Sequence, residues 1–195
     1  MSNTREFIID EAYKLFLKRS YEAVSISDIS RAIGFTKGAL YHHFVNKEDL
    51  FKAVVDKYLN IIEFTDEYKV ITLAEYLEIG VGMIHDIIKR LFHPNPEFKT
   101  IDYLALSIDA MRHYPGFIGV KGRFLELEIE RTKVVLDNAI AKGEIRDDID
   151  TMIMARNFHF LFLGIAGNLI HLNSPDRSIS LLREQLSALY NVLKK

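Results

Sequence analysis

No proline occurs in the first 93 residues of the 195-residue chain; the four prolines are Pro94, Pro96, Pro115 and Pro175. Proline is the residue that most sharply interrupts a helix, so nothing of that kind breaks long helical runs before residue 94. Ten glycines are too few for a loop-rich all-β or low-complexity protein, and 49% hydrophobic with 27% charged side chains is a folded composition. The expectation is an all-α protein without strands, forming one domain or two small ones.

Ile8, Ala12, Leu15 and Phe16 recur at i, i+4, i+7 and i+8, which predicts a helix from Thr4 to about Arg19 with its charges off the apolar stripe. Ser25-Ile26-Ser27-Asp28 and Asn46-Lys47-Glu48-Asp49 each place a capping side chain three residues before an acid, the signature of a helix start. Between them, Gly34 can adopt positive φ and Thr36 can cap the next helix. A helix over 25–33, a tight turn and a second helix from Lys37 to about Phe44 make a helix-turn-helix. The second helix has no acid in its first turn, which leaves its N-terminus open to an anion. It presents Lys37, Tyr41, His42 and His43 over a stretch long enough to enter a major groove. The same pattern also fits a helical hairpin in a bundle, with Tyr41 and Phe44 as core aromatics and Lys37 solvated.

The net charge of −2 excludes a global field drawing the chain to polyanions. Any such site is local: Lys18 to Lys47 holds five cations against two acids, although residues 1–50 balance seven against seven. Zero cysteines exclude disulfide scaffolds and thiolate chemistry and fit a cytoplasmic setting. A charged N-terminus gives no support for a secretion signal. The uncharged stretch from Asn157 to Pro175 is interrupted by Asn157, His159, Asn168, His171 and Asn173, and is read as a buried protein helix rather than a membrane span. His85, His93, His113, His159 and His171 form no H-E-x-x-H and no i, i+4 pair. Asp147, Asp148 and Asp150 read as a helix start, and no G-x-S-x-G elbow or phosphate-binding glycine loop appears. No enzyme activity, cofactor or metal is expected.

The run Gly34-Phe35-Thr36-Lys37-Gly38-Ala39-Leu40-Tyr41-His42-His43-Phe44-Val45-Asn46-Lys47-Glu48-Asp49-Leu50 closely resembles the signature of the TetR (tetracycline-repressor) family, as does Leu15-Phe16. The resemblance runs from about Ile8 to Leu50, with Leu40-Tyr41, Phe44 and Lys47-Glu48 at family spacing. Ser20, Val24 and Ser30 depart from the family's usual residues. The resemblance implies a helix-turn-helix DNA-binding domain over residues 1–46 and a helical effector-binding and dimerisation domain over 47–195. It implies that Lys37, Gly38, Tyr41 and His42 meet base edges or flanking phosphates, with Thr36 at the head of the same helix and Gly38 allowing close approach. His43 and Lys47 would reach phosphates, and Ser25 would offer its hydroxyl or amide.

Beyond residue 46, helices are predicted over 47–64, on a stripe of Leu50, Val54, Tyr58, Ile61 and Ile62, and over 72–92, 98–113, 117–142, 149–172 and 176–194. Apolar residues surround the 149–172 helix on nearly all sides, so some must meet a partner. Leu182, Leu186, Leu189 and Leu193 form a seam suited to helix pairing, and Gly164, Ala166 and Gly167 permit close approach. The resemblance implies a homodimer through the last two helices, with recognition helices about one DNA turn apart, ~34 Å. Tyr103, His113, Phe124, Asn157, Phe158 and Phe162 are the candidate ligand contacts, as apolar walls with polar tips; His159 is a further polar residue in apolar surroundings. The function expected is a ligand-responsive repressor released from a palindromic operator by an apolar or amphipathic small molecule. A DNA-binding architectural protein of the same fold without an effector, and a helical carrier or enzyme, are the alternatives.

Overall fold

The computed structural model describes residues 2–59, 66–92, 97–172 and 174–195. Among them are nine helices: α1 (Ser2–Lys18), α2 (Ile26–Ile33), α3 (Lys37–Tyr41), α4 (Lys47–Tyr58), α5 (Leu73–Phe92), α6 (Thr100–His113), α7 (Phe117–Ala141), α8 (Thr151–Leu172) and α9 (Pro175–Leu193). A 3-10 turn spans Asp66–Lys69, and the sole β pairing among the described residues is one antiparallel bridge, Ile145 to Lys194. The fold is all-α, as expected. Helix α3 stops at Tyr41 rather than near Phe44, although the His42 and Phe44 amides still donate to the Gly38 and Leu40 carbonyls at 3.1 and 3.0 Å. Ile61, Ile62, Phe64, His93, Pro94, Pro96, Asn173 and the Ala166 side chain lie outside the described residues.

The chain packs as two compact units: Met1–Ile61 with Glu97–Val120, and Ile62–Pro96 with Lys121–Lys195. In the first, α1 buries Ile8, Ile9, Ala12, Tyr13, Phe16 and Leu17, and α4 buries Leu50, Phe51, Val54 and Val55. The Phe16 and Phe51 rings meet edge-on at 5.0 Å, a favoured aromatic geometry. Helix α6 packs on both α1 and α4 and buries Tyr103, Leu106 and Ala110. At its end, α4 is fastened to α1: Tyr58 stacks on Tyr13 at 3.5 Å and donates to Asp10 at 2.7 Å, while Lys57 pairs with Glu6 at 2.8 Å. Packing thus divides the chain differently from a cut at residue 46, since α4 and α6 share a core with α1.

The second unit closes around Leu73, Val81, Val135, Leu136, Phe158, Leu182 and Leu186. Gly143, at φ 72°, lets the chain turn after α7. The turn carries Glu144 to the start of α5, where its carboxylate accepts from the Leu73 and Ala74 amides at 3.0 and 3.2 Å and from the Tyr190 hydroxyl at 3.1 Å. Asp150 accepts from the Met152 and Ile153 amides at 2.9 and 3.0 Å and starts α8, as its place in the sequence suggested.

Two expectations are corrected here. Leu182, Leu186 and Leu193 are buried inside this unit and Leu189 is partly so, so the leucine seam of α9 is internal core. Helix α8, long and apolar enough by length and composition to cross a membrane, is not buried all round. Ile153, Phe160, Leu163 and Ile170 stand 54%, 64%, 53% and 39% exposed along one face, while Ala155, Phe158, Ile165 and Leu169 fill the core.

Candidate nucleic-acid interface

The start of α2 is closed by a reciprocal cap. The Asp28 amide donates to Ser25 Oγ at 3.1 Å, while the Ser25 amide and hydroxyl donate to Asp28 Oδ2 at 3.0 and 2.6 Å. Those hydrogen bonds hold the Asp28 carboxyl below the usual aspartate range. Both Ser25 groups that the family resemblance offers to a phosphate are therefore engaged by Asp28. Gly34, at φ 71° and ψ 21°, ends α2 in the left-handed conformation. The following turn is tied back by the Phe35 amide, which donates to the Ser30 carbonyl at 3.0 Å, and by the Ser30 hydroxyl, which donates to the Phe35 carbonyl. Ser30, a departure from the family pattern, thus pins the turn that orients α3.

Thr36 caps α3, accepting from the Ala39 amide at 3.2 Å. Leu40 and Phe44 are buried and fix the helix to the core of the first unit, which turns the remaining residues outward. Thr36, Lys37, Gly38, Tyr41 and His42 are exposed, and His43 is half-buried with its ring 5.3 Å from that of His42. Of the eight candidate DNA contacts, these five form one exposed surface at and after the head of α3. Tyr41 is 53% exposed, which argues against its role as a core aromatic.

Gly38 carries a further indication. Its φ is ordinary, and a Cβ built on it would meet only Thr36 Oγ1, at 3.8 Å. Packing within the chain does not require glycine there, whereas close approach of another molecule's backbone would.

Lys47 is placed differently from its expected role. Its Nζ donates to the Tyr21 carbonyl at 3.0 Å and lies 4.0 Å above the Tyr21 ring, so the ammonium is engaged with the α1–α2 turn. The same turn is gripped from α6: the Tyr21 amide donates to the buried Asp109 carboxylate at 2.6 Å, and the His113 ring stacks on Tyr21 at 4.4 Å. His113 Nε2 also lies 3.5 Å from a Glu22 carboxylate oxygen. Nothing in the sequence signals this junction, because Tyr21 and Asp109 are 88 residues apart.

The six candidate ligand residues are divided between the two units. Tyr103 and His113 belong to the first unit, where burial pushes the Tyr103 hydroxyl up to about 12. Phe124, Asn157, Phe158 and Phe162 belong to the second. Phe158 is fully buried, Phe124 and Phe162 are half-buried, and Asn157 is exposed, against the expectation of a buried polar marker. Among the described residues, none of the six lines either of two cavities found in the second unit. One, of about 340 Å³, is bordered by Gly82, His85, Asp176, Ile179, Ser180 and Arg183. The other, of about 110 Å³, runs between α8 and α9 beside Phe160, Gly164 and Gln185.

Residues 8–54 match the sequence profile described as bacterial regulatory proteins, tetR family. YwcC, an HTH-type transcriptional regulator of Bacillus subtilis, is 46% identical over 54 residues, which cover 28% of this chain and 24% of its own. Alignments with the first four curated relatives span between 24% and 52% of those proteins' length. Across the whole fold, the chain is similar to NalD, the secondary repressor of the MexAB-OprM multidrug efflux pump in Pseudomonas aeruginosa: TM-score 0.66, 19% identity, 100% of this chain and 98% of that one. It is equally similar to the SmeT–triclosan complex: TM-score 0.66, 20% identity, 99% of this chain and 92% of that one.

Proposed function

The chain belongs, through residues 8–54, to the tetR family of bacterial regulatory proteins, and from that premise we propose that it is a dimeric, cytoplasmic, DNA-binding transcriptional repressor that a small molecule releases from a palindromic operator. The observation that carries this reading is the exposed head of α3, where Lys37, Tyr41 and His42 surround a glycine that the fold does not need. Lys37 supplies the cation, Tyr41 and His42 supply hydrogen-bonding edges, and Gly38 lets the helix start lie close to the DNA backbone.

The exposed face of α8 supports the dimer. Phe160 and Leu163 are large apolar groups more than half exposed, a costly arrangement unless a second copy covers them. The existence of a triclosan complex of SmeT supports a small-molecule effector. In this reading, an effector among the C-terminal helices moves α4 and changes the separation of the two recognition helices. A coupling of about 1 to 3 kcal/mol gives roughly 5- to 150-fold release.

Footprinting on DNA upstream of the chain's own gene, across a salt series, tests the reading. The expected result is a protected palindrome whose binding weakens steeply with salt. Lys37→Ala is expected to weaken binding and reduce the salt slope by about one. Binding indifferent to sequence and unchanged by Lys37→Ala would refute the assignment.

A further inference from the structure

The half-buried ring of Phe162 on α8 rests its tip on Gly80 of α5. A methyl group placed on Gly80 would stand 2.7 Å from Phe162 Cζ and 3.2 Å from Cε1, so a side chain there would push the tip of the ring aside. Three residues earlier, on the same side of α8, is His159. Its Nε2 is closed off from solvent and has no hydrogen-bond partner among the described residues. The residues one turn before each, Ala155 and Phe158, belong to the apolar core. A buried polar atom without a partner is rare in a native interior and calls for an explanation. Burial also holds the imidazole pKa below its ordinary value, so the ring is uncharged at neutral pH and offers one nitrogen to donate and one to accept.

We propose that His159 and Phe162 mark an effector site, in which an uncharged, ring-sized apolar molecule displaces the Phe162 ring from Gly80 and places its single hydroxyl against His159 Nε2. This rests on the reading of the chain as a ligand-responsive regulator and deepens it by giving the effector's chemistry. An apolar body is required because Ala155 and Phe158 offer nothing to a charge. One hydroxyl suffices because it both donates and accepts, and so serves either imidazole tautomer.

The test uses full-length ¹⁵N-labelled protein and two probes of equal size, 4-propylphenol and propylbenzene. Saturating 4-propylphenol is expected to shift the His159 Nε2 resonance, and propylbenzene to bind about tenfold more weakly, the difference that one neutral hydrogen bond makes. His159→Leu is expected to abolish the preference for the phenol, and Phe162→Ala, which removes the ring that must move, to tighten binding of both probes. A His159 resonance that stays still while the phenol saturates overturns the proposal. So does the failure of both probes to bind wild-type protein and Phe162→Ala. Both results are read without His159→Leu, so a folding failure in that variant leaves the test intact. Operator binding in the same samples separates the two readings. Phenol at His159 with the operator still bound supports the site and refutes release through it, whereas release by another compound with His159 unmoved overturns the site alone.

Discussion

At Gly38 a methyl group would meet nothing closer than 3.8 Å, and the backbone is in an ordinary helical region. Gly38→Ala is therefore expected to leave thermal stability unchanged or raise it by about 0.5–1 kcal/mol, since alanine is the better helix former. The same variant is expected to lose operator affinity in a gel-shift or footprinting titration; unaltered affinity would remove the close-approach role. Tyr76 gives a second residue-scale prediction. Burial pushes its hydroxyl up to about 12 from the ordinary 10.0, and the hydroxyl lies 3.0 Å from Thr132 Oγ1. The folded state thus holds this proton more tightly than the unfolded chain does. Its contribution to stability is complete below pH 10 and is lost as pH rises from 10 to about 12. Denaturant midpoints measured across that window are expected to fall, and Tyr76→Phe to flatten the fall.

Among the elements, α6 behaves unlike its place in the sequence suggests. The predicted division put it with the effector-binding half, yet it packs on α1 and α4 and grips the α1–α2 turn through Asp109. Asp109→Ala leaves the Tyr21 amide without its acceptor at a site where the carboxylate was 7% exposed, at an expected cost of about 1–3 kcal/mol. Thermal unfolding measures the loss, and amide hydrogen exchange is expected to localise it, with the Tyr21 amide exchanging faster than in the wild type. Unchanged exchange at Tyr21 would mean that the aromatic stack and Lys47 hold the turn by themselves. Helix α2 shows the opposite relation between sequence and structure. Its cap residues Ser25 and Asp28, its terminal Gly34 and the cap of the next helix, Thr36, all stand where the sequence put them, because each acts within three or four residues of itself.

For the whole molecule, the exposed face of α8 sets the prediction. Replacing Phe160 and Leu163 together by glutamate places two charges at the centre of the expected dimer contact without touching the core of the unit, since both side chains are more than half exposed. Sedimentation is expected to show a monomer, and circular dichroism an unchanged helix content. Operator affinity is expected to fall steeply, because a single recognition helix engages one half-site. A double variant that stays dimeric would assign the contact to another face.

The local chemistry of the chain determined its helices, their caps, the turn at Gly34 and the exposed head of α3, since helix periodicity, capping and positive φ are decided within one or two turns of sequence. Sequence periodicity also marked α8 as too apolar for one buried face, but it could not say which residues faced out. The tertiary structure alone decided that Leu182, Leu186 and Leu193 are internal while Phe160 and Leu163 are not. It alone turned Asn157 outward, spread the candidate ligand residues over two units, and joined Tyr21 to Asp109. The physical reason is that an apolar stripe records that a face is covered but not by what. The covering partner is chosen by packing between residues tens of positions apart, which leaves no mark in the local pattern.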